Sequence, residues 1–322
     1  MKQRVSWLIA AALLAPLQHA AAQTWPTKPL KLVVSQAAGG TPDIVARFLA
    51  DRLGQALGQQ VLVDNRPGAG NVIGAQAAAR SAPDGNTLFF ATAAALVTNP
   101  YTFKSLPYDP VKDFVPVAMV GKAPFLILAY PGVAAKSLAE LIALDKSQPG
   151  KLTFATDGPR NFSGMLAAWL NKIAHTKILA IPYNVMPQGI QDTIAGRTQL
   201  VILAIPSGAP LMKRGELRAL AVSSRTRAAG YEDISPIAET FPGFDFVGWF
   251  VIVAPSGTPA EVVARVNREM DRILKEPDVV QRLRGFGIYT DGADTAEGTG
   301  EFIRLERERW GKVVREIGIE PE

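Results

Sequence analysis

The segment LKLVVSQAAGGTPDIVARFLADRL, Leu30 to Leu53, decides how this chain folds. An apolar run of strand character ends in a loop at Gly39 and Gly40, and residues of helical periodicity follow. The plan recurs far downstream in KLTFATDGPRNFSGMLAAWLNKIA, Lys151 to Ala174. A strand that turns through glycine into a helix leaves backbone N–H groups and the positive end of a helix dipole aimed at one spot. Such a spot favours anions. Two corners of this kind on two lobes could clamp an acidic small molecule between them.

Short Val/Ile/Leu/Phe runs alternate with helical patterns along the rest of the chain. Strands are expected at Leu30–Ser35, Val61–Val63, Thr87–Ala91, Phe125–Ala129, Leu152–Ala155, Leu200–Leu203 and Leu217–Val222. Helices are expected near Pro42–Leu57, Val72–Arg80, Ser137–Lys146, Ser163–Ala174 and Gln188–Ala195, then at Pro259–Lys275, Asp278–Phe286 and Glu297–Ile317. This alternation predicts α/β layers around mostly parallel sheets. Two longer apolar stretches, Phe114–Tyr130 and Phe244–Pro255, read as crossings between lobes. Two crossings make the first lobe discontinuous: residues 23–123 plus 247–322, with 124–246 as the second lobe.

At 322 residues the chain is long enough for two domains. The hydrophobic share is 48% and the charged share 20%, the balance of a globular protein and not of a disordered one. Net charge is +5, or +3 once Lys2 and Arg4 are set aside. The basic residues form no stripe with interleaved aromatics, so nucleic acid is not expected as a partner. With no cysteine, disulfides, thiolate nucleophiles and zinc–thiolate sites are excluded. His175 is the one histidine outside the leader, which argues against a histidine metal site and against a Ser-His-Asp triad. No GxSxG, GxGxxG or phosphate-loop motif is present, and no cofactor or metal is expected.

Residues 1–22 have the plan of a secretory leader: basic Lys2 and Arg4, an apolar Trp7–Leu17 core and small Ala20-Ala21-Ala22 before Gln23. The apolar core is well short of the roughly 20 residues a membrane span needs. The mature chain is therefore expected in the periplasm.

The candidate site residues come from the two corners. In the first, Gly39 and Gly40 permit a tight turn, Thr41 is a cap candidate, Pro42 suits the first helical turn and Asp43 suits the dipole. In the second, Gly158-Pro159-Arg160-Asn161 separates strand from helix, with Asn161 or Ser163 as cap. The Arg160 guanidinium could fork onto a carboxylate. The glycine-rich Asn65–Gly74 stretch reads as a structural turn, and Trp249-Phe250 as core. Thr258 and Pro259 read as cap and first residue of a later helix.

The opening TWPTKPLKLVVSQAAGGTPDIVARFLADRLGQALGQQVLVDNRPGAGNVIGAQAAARSAPDGNTL resembles that of the Bug family, extracytoplasmic solute receptors related to tripartite tricarboxylate transporters. LPYDPVKDFVPVAMV, PGKLTFAT, IPYN, GELRALAVSS, PGFDFVGWFVIVAPSGTPAEVVARVN and WGKVV extend the resemblance, in order, over essentially the whole mature chain. It implies a two-lobed type II periplasmic-binding-protein fold with the ligand in the cleft, no catalysis, and delivery of a small organic acid to integral-membrane transporter subunits by a monomer. The implied ligand-binding positions are Ala38, Gly39, Gly40, Thr41 and Asp43, with Thr92 and Ala93, on one lobe. On the other they are Thr156, Gly158, Arg160, Asn161, Ser163, Tyr183 and Asn184.

Three departures stand out. Arg160 replaces a loop glycine, Asn184-Val185-Met186 replaces a lysine-glycine-glycine, and Leu203-Ala204 replaces a polar stretch ahead of Ile205-Pro206-Ser207. Together they predict a ligand with one carboxylate, met by Arg160, and an apolar or aromatic body. Two other functions share features of this reading. A sensor subunit for a membrane signalling partner would use the same clamp. A secreted α/β hydrolase would need a nucleophile and base that this sequence does not offer.

Overall fold

The computed structural model describes residues 25–183 and 185–321. The leader and Asn184 lie outside the described residues. The element order is β1 (Leu30–Val34), α1 (Thr41–Leu57), β2 (Val61–Asn65), α2 (Val72–Ala79), β3 (Thr87–Thr92), α3 (Asn99–Thr102), β4 (Phe114–Ala123) and β5 (Phe125–Ala129). There follow α4 (Leu138–Ser147), β6 (Thr153–Thr156), α5 (Phe162–Ala174), β7 (Leu179–Pro182), α6 (Met186–Ile194), β8 (Leu200–Ala204), α7 (Ile205–Lys213) and β9 (Arg218–Val222). The chain closes with α8 (Ile237–Thr240), β10 (Gly248–Pro255), α9 (Ala260–Leu274), α10 (Pro277–Gly285) and α11 (Ala296–Glu316).

These strands form two five-stranded sheets, ordered β2-β1-β3-β10-β4 and β7-β6-β8-β5-β9. The apolar Leu30–Val34 run becomes an inner strand because both neighbours pair with it in parallel: Leu30 faces Val61, and Val34 faces both Asn65 and Phe90. The helix after it buries Val45, Ala46, Leu49, Ala50, Leu53 and Leu57, an i, i+4 stripe turned to the sheet. Each sheet thus carries one lobe.

The expectation of mostly parallel sheets is corrected. β10 runs antiparallel to β3 and β4, and β5 runs antiparallel to β8 and β9. These strands lie in the two stretches read as crossings. A chain that leaves one lobe and returns must enter each sheet against the direction set by the βαβ units. At the outward crossing a single residue, Pro124, separates β4 from β5. Proline cannot donate to a ladder, so the pairing changes sheets there.

An aromatic spine joins the lobes. The ring of Phe162 lies 4.1 Å from Phe125 and 4.6 Å from Phe246, and Phe246 lies 4.5 Å from Trp310 on α11. One continuous apolar cluster therefore runs from Val33 and Phe89 beneath the first sheet to Phe154 and Ile202 beneath the second. α11 packs on β4 in the first lobe and on α5 in the second. Trp249 and Phe250 are buried in the core, and the Trp249 indole donates to Glu306 at 2.9 Å.

Two helix starts differ from expectation. Pro259, not Thr258, holds the cap position of α9, and the Thr258 hydroxyl donates back to the Pro255 carbonyl. α1 begins at Thr41 with Gly40 as its cap position, so Thr41 does not cap it. Among the described residues no helix is long and apolar enough to cross a membrane.

Candidate functional site

The first corner lies at the carboxyl end of β1, where ligands of open α/β sheets generally bind. Ala38, Gly39, Gly40 and Thr41 are exposed there. Gly39 sits at φ 84, a left-handed conformation that favours glycine. The loop is braced from inside by Asp43. Its buried carboxylate accepts from the Gly39 N–H at 2.8 Å, Arg47 Nε at 3.1 Å and Asn65 Nδ2 at 2.9 Å. Burial opposes the charge on Asp43, but the bonds from Arg47, Gly39 and Asn65 outweigh it and hold the carboxyl below its ordinary value. Asp43 therefore shapes the loop by binding one of its amides.

Continuing the β1–β3 register by two residues brings Gln36 level with Thr92. Both carry a buried oxygen without a hydrogen-bond partner in the chain, Gln36 Oε1 and Thr92 Oγ1. A buried unpartnered polar atom costs about 1–3 kcal/mol, so two at adjacent strand ends mark a place for water or ligand. Beyond Thr92, buried Ala93 leads into a π-helical turn, Ala94–Thr98. Such turns widen the backbone and recur at functional positions.

The second corner differs from its sequence reading. Asn161 occupies the cap position of α5, yet neither it nor Ser163 caps the helix with its side chain. Asp157 does this instead. Its carboxylate accepts from the Ser163 N–H at 3.2 Å and from the Ser163 hydroxyl, while its own N–H donates to Ser163 Oγ at 2.8 Å. Gly158 at φ 111 folds the loop back so that this happens. Asn161 N–H donates to the Gly158 carbonyl, and Pro159 has no N–H. Much of the expected amide donation is thus internal to the loop.

The remaining second-lobe candidates divide. Thr156 is buried, with its hydroxyl 3.4 Å from the Ile181 carbonyl. Tyr183 turns its phenol onto Asp192 at 2.8 Å and lays its ring against Gly189. Arg160 is exposed, and its guanidinium donates to the Glu320 carbonyl at 3.1 Å, tying the loop to the segment after α11. Asn184 lies outside the described residues.

The two lobes face each other across a cavity of about 450 Å³, inside the roughly 300–1,000 Å³ range of small-ligand pockets. Of the expected residues it gathers Ala93, Gly158, Arg160 and Asn161. The first-corner residues Ala38–Asp43, together with Thr92, Thr156, Ser163 and Tyr183, do not line it. Its further walls are Gly70 and Asn71, Asn99 and Phe103, and Phe162 and Trp310.

The sequence reading missed these. Gly68 and Gly70 of the Asn65–Gly74 stretch do lie in a turn, with Gly74 already inside α2, and Asn99 Nδ2 holds the Gly70 carbonyl at 2.8 Å and fixes that turn as a cavity wall. Trp310 arrives from the far end of the chain, and no local signal announces it. A larger hollow of about 640 Å³ between α9, the start of α11 and the β4 edge is lined from the first lobe alone, at residues such as Val115, Asn267 and Ala296. Closing the lobes would not change it.

The comparisons agree with this architecture. A sequence model described as the tripartite tricarboxylate transporter family receptor matches residues 45–319. The chain is 37% identical over 319 residues to a UPF0065 protein of Bordetella bronchiseptica, covering 98% of this chain and 93% of that one. It is 34% identical over 314 residues to Protein BugT of Bordetella pertussis, covering 97% and 95%. Among solved structures, R. palustris Rpa4515 with adipate is 31% identical, with a TM-score of 0.80 over 92% of this chain and 100% of that one. MatC from Rhodopseudomonas palustris, with bound malate, is 28% identical, with a TM-score of 0.74 over 90% and 99%. The two-sheet, two-lobed structure and a match over most of the sequence lead to one assignment: the chain belongs to the tripartite tricarboxylate transporter receptor family.

Proposed function

We propose that this protein captures a small carboxylate in the periplasm and presents it to the integral-membrane subunits of a tripartite tricarboxylate-type transporter. The observation that carries the reading is the cavity of about 450 Å³ walled by both lobes. A ligand that touches both walls only when they approach stabilises the closed state, and that population shift is the whole mechanism. No bond is made or broken. The receptor acts as a monomer, without nucleic acid. The bodies that move are residues 23–123 with 247–322, and residues 124–246.

The ligand has one carboxylate and an apolar or aromatic body. Phe103, Phe162 and Trp310 offer the body an aromatic wall, while Asn71 and Asn99 offer polar contacts at the first lobe. Arg160 stands on the opposite wall and can turn to a carboxylate. Solved relatives holding adipate and malate support the carboxylate class.

A thermal-shift screen of small mono- and dicarboxylates tests this. An acid at 100 times its dissociation constant should add about 2.7 kcal/mol of stability. Arg160→Ala should weaken the best acid several-fold. If no acid raises the melting temperature, the carboxylate reading fails.

A further inference from the structure

The amides at the head of α5 already serve a carboxylate, and it belongs to the chain. Asp157 takes the Ser163 N–H and the Ser163 hydroxyl, and the Gly164 amide is turned to it as well. The cavity is walled by the residues just beyond, Gly158 to Phe162, and Asp157 is not among them. Its charge thus stands one layer behind the second-lobe wall, fixed by bonds inside its own loop. Arg160 on the same wall can meet one carboxylate of the ligand, but a second one reaching the start of α5 would meet donors already taken and a like charge behind them.

We propose that Asp157 is a specificity-determining residue: its carboxylate fills the anion position at the start of α5 and turns away acids that carry a second carboxylate on that side of the cleft. The inference rests on reading the cleft as a carboxylate site, and it names what that site refuses. The desolvation that raises the Asp157 carboxyl above its ordinary value fits a half-buried group set behind the cavity wall.

Matched acids test it by calorimetric titration of the full mature chain. One series is hexanoate, adipate and 6-aminohexanoate; a second is benzoate against isophthalate. The wild type should prefer the monocarboxylate of each pair. Asp157→Ser frees the α5 amides and removes the charge. It should shift the ratio of affinities toward the diacid by about tenfold or more, as expected for a like charge at short range in a partly buried site. Asp157→Asn keeps an acceptor for Ser163 and should shift the ratio in the same direction, so it carries the test if the serine variant does not fold.

An unchanged ratio in the folded variants, or a wild type that prefers the diacid, overturns the inference and leaves the carboxylate reading standing. Preference for 6-aminohexanoate that vanishes in both variants would make Asp157 a partner for a cationic ligand group, and also overturns it. Failure of every acid to bind the wild type refutes the carboxylate reading, and the inference with it.

Discussion

Phe125 and Phe162 stack with ring centroids 4.1 Å apart and planes 22° from parallel. Phe125 is the first residue after Pro124 on the outward crossing, and Phe162 is the first residue of α5 and part of the cavity wall. The residue that would meet a ligand body therefore rests on the strand that enters the second sheet at the outward crossing. Phe162→Ala should destabilise the protein by about 3 kcal/mol, the low end for phenylalanine truncation because the ring is only partly buried. A double-mutant cycle with Phe125→Leu in urea unfolding should give a coupling of about 1 kcal/mol. Additive effects would show that the stack does not bind the crossing to the wall.

Trp310 is buried, lines the cavity and packs on Phe246. Both indoles donate to Glu306, but Trp249 does not line the cavity, so closure on an acid with an apolar body should change the surroundings of Trp310 more. Titration with an acid found by thermal shift should alter tryptophan emission, and Trp310→Phe should remove most of that change. A full response in the variant would move the reporter, and the ligand body, elsewhere.

Asp43 gives a pH signature with a definite sign. Its carboxyl is held low: burial opposes the charge, but Arg47, the Gly39 amide and Asn65 outweigh it. The stabilisation is complete above the unfolded value, about pH 4, and drains away as pH falls through the lower folded value. Wild type should exceed Asp43→Asn in melting temperature at pH 7, and the gap should narrow as pH falls below the unfolded value. A gap that persists in strong acid would mean that shape, not charge, explains the loss.

Asp157 should behave in the opposite sense. Burial raises its carboxyl, and the Ser163 bonds offset that only in part. Between the ordinary carboxylate value, about 3.9, and the raised folded value, the folded chain keeps a proton that the unfolded chain has released. Lowering the pH through that window should stabilise wild type relative to Asp157→Asn. Urea unfolding of both proteins at stepped pH reads the difference. A wild type that loses ground on acidification would contradict the desolvated placement.

Much of this was legible because local and tertiary signals agreed. β5 spans Phe125–Ala129 as its apolar run predicts, and α1 ends at Leu57 as its periodic stripe predicts, although it starts one residue early, at Thr41. The failures have physical causes. β7 is a four-residue exposed edge strand ending at Pro182, too short and too open to show a burial pattern. α7 contains Pro206 and Pro210, which mark a loop in sequence, yet its buried Ile205, Gly208 and Leu211 hold it as a helix. The cap of α5 went to Asp157 because a left-handed Gly158 folds the loop back, a geometry that residue preferences at the cap position do not encode. Trp310 reaches the cavity only through the packing of α11 on α5.

Small-angle scattering of the mature protein, with and without the acid that most raises its melting temperature, tests closure most directly. Two lobes that swing together around a carboxylate in the cavity predict a smaller radius of gyration in the bound state, with no such contraction when acetamide or another neutral solute is added. An acid that raises the melting temperature while the scattering curve stays the same would contradict the account.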